Sequence, residues 1–88
     1  MKIAEIVWDA DTVRHIARHG VEPDEVEQVC FDRKPHILKT RLARYIALGQ
    51  TDAGRYLTIV FEYLGQARAK VVTARAMSEA ERRMFKRR

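Results

Sequence analysis

One cysteine in 88 residues, Cys30, leaves no partner for an internal disulfide, and such usage suits a reducing cytoplasm. Cys30 follows Val26 and Val29 at helical spacing, so it reads as a small core residue rather than a nucleophile. Apolar runs long enough to cross a membrane are missing, and the N-terminus has neither the basic nor the apolar region of a signal peptide. With two prolines and four glycines, no linker or low-complexity run divides the chain, which predicts a single domain over residues 1–88. The motifs G-x-x-x-x-G-K, G-x-G-x-x-G and the nucleophile elbow are absent, so nucleotide hydrolysis and serine-type acyl transfer have no support. His15 and His19 stand four apart, but no H-E-x-x-H frames them and His36 has no obvious carboxylate partner, so no metal site or other cofactor is expected.

What is present is charge sorted by position. From Met1 to Thr40 six Lys/Arg stand against eight Asp/Glu, a net of −2; from Arg41 to Arg88 eleven stand against four, a net of +7. A basic half attracts phosphate, which makes nucleic acid the first partner to consider; a basic tail that serves solubility would give the same totals.

The weak alternation of Ile3, Ile6 and Val7 predicts a short strand over Met1 to Trp8. Asp9 or Asp11 can cap a helix that buries Val13, Ile16 and Ala17 and stops at Gly20. Glu22-Pro23-Asp24-Glu25 opens a second helix with Val26, Val29 and Cys30 inward, and Pro35 ends it. From Ile37 the pattern alternates. Arg44 to Gln50, Arg55 to Tyr63 and Ala67 to Ala76 read as three strands of an antiparallel meander, separated by turns at Thr51–Gly54 and Leu64–Gln66. Ser78-x-x-Glu81 is a capping box that starts a last helix through Met84 and Phe85. The predicted class is α+β, order β-α-α-β-β-β-α, a small antiparallel sheet of meander plus N-terminal strand with helices packed on one face. Alternation assigns Ile46, Leu48, Leu57, Ile59, Phe61, Val72 and Ala74 to the covered face. It assigns Tyr45, Tyr56, Thr58, Val60, Glu62, Val71, Thr73 and Arg75 to the open one, unless a β-bulge intervenes.

Arginine beside strands is the remaining chemistry. A guanidinium grips phosphate through two parallel bonds and holds the negative charge built up when a 2′-hydroxyl attacks the neighbouring phosphodiester. Arg75 is the candidate for that phosphate, with Arg44, Arg68, Lys70 and Arg82 as further nucleic-acid contacts and Tyr45 or Tyr56 as surfaces for stacking bases. Glu62, Glu81 and His19 are the candidates for proton transfer. Each has a structural alternative: Arg75 can pair with Glu81 or Glu62, Glu81 serves the capping box, and the tyrosines can simply pack.

Four strings occur in order: Trp8-Asp9; His19-Gly20-Val21; Ala47-Leu48-Gly49-Gln50-Thr51 with Gly54-Arg55; and Thr73-Ala74-Arg75-Ala76-Met77-Ser78 with Glu81-Arg82-Arg83. Together they resemble the BrnT-like toxins, small ribonucleases of the RelE superfamily from type II toxin–antitoxin modules, over about Val7 to Phe85. The resemblance implies a compact antiparallel sheet with helices on one side and cleavage of messenger RNA, which the arginine chemistry above would perform without a metal. It also implies neutralisation by a small antitoxin, often with a ribbon-helix-helix part, and an oligomer formed with it. It carries the family's Ala-Arg and Glu-Arg positions onto Arg75, Glu81 and Arg82, its His-Gly onto His19 and Gly20, and its basic position before Ala-Leu-Gly onto Arg44. This chain departs at Thr12 and His15, where many relatives have Lys and Asn, and at Phe85, where Tyr is common. Phe85 and the lack of an obvious acid–base pair suit a second reading, a toxin-like module that binds antitoxin and RNA or operator DNA without cleaving.

Overall fold

Asp9 accepts a hydrogen bond from the Thr12 amide (2.8 Å), which fixes the start of the first helix and draws the Asp9 carboxyl below its ordinary range. In the computed structural model, which describes residues 1–32 and 34–87, that helix follows a short first strand. The elements are β1 (Glu5–Val7), α1 (Ala10–Ala17), α2 (Pro23–Glu27) continued by a π-helical turn (Gln28–Asp32), β2 (His36–Arg41), β3 (Arg44–Gln50), β4 (Tyr56–Gly65), β5 (Arg68–Ala76) and α3 (Glu79–Arg87). α1 ends in a Schellman closure: Val21 N–H donates to Ile16 O (3.1 Å), Gly20 N–H donates to Ala17 O (2.9 Å), and Gly20 takes the left-handed φ of +71° this requires.

The predicted order of helices and strands holds, and one strand is added. The sheet has five strands in the order β1-β5-β4-β3-β2, because His36–Arg41 pairs antiparallel with β3 at the edge. The segment is short, follows Pro35 and carries His36, Lys39, Thr40 and Arg41, so it lacks the apolar alternation of an inner strand. The sheet is also mixed rather than wholly antiparallel. β1 runs parallel to β5, Glu5 beside Arg68 and Val7 beside Lys70, as the crossover through both helices and the meander requires.

The helices do not all lie on one face. Ile16, Val21, Val26 and Val29, from α1, the turn after it, α2 and the π-turn, pack against Ala47, Leu57, Ile59, Phe61, Val71 and Ala74 in the main core. On the opposite face Leu48 packs with Met77 and Phe85, flanked by Leu38, Ile46 and Tyr56, so α3 builds a second, smaller core there. Ile46 and Leu48 therefore move out of the expected covered set, since they stand opposite Val60 and Thr58 on the α3 side. Both faces of β3 are apolar because both are covered, so hydrophobicity alone could not set its phase. β5 differs for another reason: Phe61 faces Val71 and Val60 faces Thr73, leaving Val72 as a bulge, and Val71 joins Ala74 in the main core.

Cys30 is buried, and burial, helped by the charge of Glu27, pushes its thiol up to about 12, which removes it as a nucleophile at neutral pH. Gly49 is where β3 and the π-turn touch. A Cβ there would come within 2.6 Å of Cγ1 of the fully buried Val29. Gly49→Ala is expected to cost about 1–3 kcal/mol and to lower Tm by roughly 4–8 °C for each kcal/mol, read by thermal denaturation; an unchanged Tm would show that Val29 can yield.

Candidate functional site

Ser78 N–H donates to Glu81 Oε1 (2.9 Å) and Glu81 N–H donates to Ser78 Oγ (3.2 Å), the reciprocal pair that S-x-x-E predicts at the start of α3. The same carboxylate does more than cap. Arg75, near the end of β5, donates from Nη1 to Oε1 (2.7 Å) and from Nη2 to Oε2 (2.9 Å), while Thr58 Oγ1 donates to Oε1 (2.9 Å). Thr58 and Arg75 face each other across β4 and β5, so the sheet places both donors and the cap places the acceptor.

The electrostatics follow from that geometry. The Arg75 fork, followed by the Ser78 amide and the Thr58 hydroxyl, draws the Glu81 carboxyl down to about 2 against the opposing effect of burial. The same pair raises Arg75 above the usual guanidinium range. Glu81 is therefore a permanent carboxylate with its oxygens in use, suited to holding a guanidinium in one orientation and poorly suited to taking a proton. Arg75 keeps 42% of its side chain exposed; Nη1 also donates to Ala76 O (3.3 Å), which leaves Nε and the second Nη2 hydrogen for another acceptor.

Next to this pair the guanidinium of Arg82 lies 4.3 Å from the centre of the Tyr56 ring and the Lys86 ammonium 5.5 Å from it. Phe85 meets Tyr56 edge-on at 6.1 Å and is buried with Leu48 and Met77, so at this position the chain uses a ring for packing. Glu79, Arg82, Arg83 and Lys86 line a shallow cleft beside it. One surface thus carries Arg75, Glu81 and Arg82 together.

The other candidates lie elsewhere. Glu62 lies four residues beyond Thr58 along β4, about 13 Å away, opposite both Arg44 and Lys70. Arg44 and Glu62 share a cleft with Arg41, Leu42 and Ala43 at the β2–β3 turn. Arg68 stands seven residues before Arg75, roughly 23 Å along the strand, half-buried beside Glu5 with its Nε enclosed and without a hydrogen-bond partner. Tyr45 is on the main-core side, stacked on Phe61 at 5.6 Å and edge-on to Tyr63 at 6.4 Å, so its ring is a packing surface. His19 is exposed in the turn after α1 with its ring 5.3 Å from that of His15. His15 was not among the site candidates, yet its Nε2 lies 2.9 Å from Thr73 Oγ1, two residues before Arg75. The sequence signals for it are the i, i+4 histidine pair and the departure from the Asn common in relatives. Among the described residues no three His, Cys, Asp or Glu gather into a metal-holding cluster.

Comparison with known proteins adds two findings. A family model described as the ribonuclease toxin BrnT of type II toxin–antitoxin systems matches residues 8–81. The fold is similar to the crystal structure of the Brucella abortus ribonuclease toxin BrnT, with a TM-score of 0.69 and 22% identity over 85% of this chain and 97% of that one; at this identity the likeness is one of fold. No curated protein matches the chain in sequence.

Proposed function

The chain belongs to the BrnT family, the ribonuclease toxins of type II toxin–antitoxin systems, and on that premise we propose that Arg75 binds the scissile phosphodiester and neutralises the charge that builds on it. RNA is the substrate and an antitoxin the partner of such a toxin. The observation that carries the assignment is the two-pronged Arg75–Glu81 pair: a cation whose orientation is set by a carboxylate, itself fixed by a helix cap and a strand hydroxyl. Arg82 over Tyr56 supplies a second guanidinium on the same surface for a flanking phosphate. Arg44 and Lys70, with Glu62 between them, extend the basic path along the sheet.

In this mechanism the 2′-oxygen attacks the adjacent phosphorus, the bond from phosphorus to the 5′-oxygen breaks, and Arg75 holds the non-bridging oxygens as charge accumulates. No metal is needed where a guanidinium meets that charge. Purified chain incubated with single-stranded RNA in EDTA is expected to leave 2′,3′-cyclic phosphate and 5′-hydroxyl ends. Cleavage that requires an added divalent ion would defeat the metal-independent mechanism. RNA retention without cleavage would favour the binding-module reading, to which the full occupancy of Glu81 is also congenial.

The cytoplasm, where messenger RNA is exposed, is the proposed site of action, and residues 1–88 are proposed to act as one domain. For the antitoxin we propose a small protein with a ribbon-helix-helix part, bound in an oligomer. The outer edge of β2, with Leu42 88% exposed at its end, offers a strand-pairing surface for it.

A further inference from the structure

β1 pairs with β5 only as far as Lys70, and beyond that point α1 runs alongside β5. Asp9 at the start of α1 feels the charge of Lys70, and His15 meets Thr73, so helix and strand advance together. Six helical residues rise about 9 Å and three strand residues about 10 Å, which keeps the two in step. Between them lies a cleft of about 360 Å³ lined by Asp11, Thr12, Arg14, His15, Arg18 and Val72. The β5 bulge shapes it. The extra residue, Val72, forms part of the lining, and Thr73 comes within hydrogen-bonding distance of His15.

The charge in this cleft is unbalanced. Arg14 is paired with Asp11, the only acid in the lining. Arg18 has no ion pair among the described residues, and His19 adds a second imidazole edge-on to His15. The cleft is therefore cationic although it lies in the acidic half of the sequence. Thr73 and Arg75 are two residues apart, about 6.6 Å along β5, within the span of one nucleotide. The proton-transfer problem points to the same place. Glu81 is fully engaged and strongly acidic, Glu62 is distant, and imidazole is the side chain that gives and takes protons near neutral pH.

We propose that this cleft is the second half of the RNA site: Arg14 and Arg18 hold the phosphodiester next to the scissile one, and His15 protonates the departing 5′-oxygen. The 2′-hydroxyl loses its proton to water as its oxygen bonds to phosphorus; the phosphorus–5′-oxygen bond breaks with its electron pair on oxygen; and that oxygen takes the proton from imidazolium. Thr73 orients the ring from β5. The charged and titratable groups facing His15 are Asp11 and Arg14 from α1 and Arg18 and His19 from the turn after it; β5 presents Val72 and Thr73, with Lys70 and Arg75 the next charges along it. The proposal rests on the reading of Arg75 as the phosphate anchor.

The test uses the full chain, a single-stranded RNA and its uncleavable 2′-O-methyl form. His15→Asn is expected to lower kcat at least 100-fold and to abolish the fall of kcat on the alkaline side of its pH profile, with 2′-O-methyl RNA binding within about twofold of the parent. Thr73→Val, which keeps the imidazole but removes its hydroxyl partner, should lower kcat while the alkaline fall remains. Joint replacement of Arg14 and Arg18 by alanine should weaken 2′-O-methyl RNA binding and reduce its dependence on salt by about one phosphate contact. Unchanged kcat and pH profile in His15→Asn, or an unchanged salt dependence without the two arginines, would overturn the proposal. A parent chain that fails to cleave RNA overturns the assignment of Arg75 and this inference together, whereas a cleaving parent with an indifferent His15→Asn overturns this inference alone.

Discussion

Arg75→Ala is expected to lower kcat for RNA cleavage by about 10²–10³-fold, the usual loss when a fixed donor to transition-state charge is removed, while shifting Tm by only a few degrees. The two effects separate because the pair sits at the surface. Arg75 keeps 42% of its side chain exposed, and a solvent-facing ion pair contributes about 0–1 kcal/mol to folding. Without Arg75, Glu81 still accepts from the Ser78 amide and the Thr58 hydroxyl, so the start of α3 survives. Because Arg75 binds the scissile phosphodiester as well as the charge that builds on it, kcat/KM should fall at least as far as kcat. Arg75→Lys keeps the charge but loses the fork, so it should restore only part of the rate. Steady-state kinetics on a short RNA decide the matter, and a kcat for Arg75→Ala within a few-fold of the parent would remove this residue from the chemistry.

Much of the fold was legible because its punctuation is chemically specific. Asp9 caps, Gly20 reverses the chain, and Ser78 with Glu81 starts α3, each where a local hydrogen bond demands that residue type. Several family-like strings turn out to be architecture. Trp8 donates from its ring nitrogen to Glu27 (3.1 Å), Val21 is core, and Arg55 ties the β3–β4 turn to Gly20 O (2.6 Å) and to both oxygens of Glu25 (3.0 and 3.1 Å). Charge sorting was a poorer map of the surface. Arg55 of the basic half is used to hold the fold and Arg68 is half-buried beside β1, while Arg14, His15 and Arg18 of the acidic half line a cationic cleft. Sequence position cannot report that a helix written early runs beside a strand written late. Nor could alternation place the bulge at Val72, because the residue that breaks the count is identical to Val71 before it. The Arg75–Glu81 contact could be anticipated as a structural pairing; that it joins a helix cap, a strand hydroxyl and an open guanidinium in one cluster required the register of β4 against β5.

Glu81 gives the sharpest division between holding the fold and serving the reaction, and two variants separate the roles. Ser78→Ala removes the hydroxyl that accepts from Glu81 N–H, while leaving the Arg75 fork and its carboxylate in place. Glu81→Ala removes the other arm of the same cap and frees Arg75 as well. Each should cost about 1 kcal/mol through the helix start, or roughly 4–8 °C in Tm. Only Glu81→Ala should also slow cleavage, by about 10–100-fold, because an unrestrained guanidinium must be ordered by the substrate itself. Glu81→Gln, which can still accept from Arg75, should recover part of that rate. Acid supplies an independent check. The carboxyl sits at about 2 in the folded chain against an ordinary 4.5, so its contribution is fully present above about pH 4.5 and is lost as pH falls towards 2. In Glu81→Gln that portion of the acid-induced loss should disappear, as followed by denaturant unfolding between pH 5 and 2. If Ser78→Ala slows cleavage as much as Glu81→Ala, the carboxylate serves the helix start alone and the orientation of Arg75 must come from the RNA.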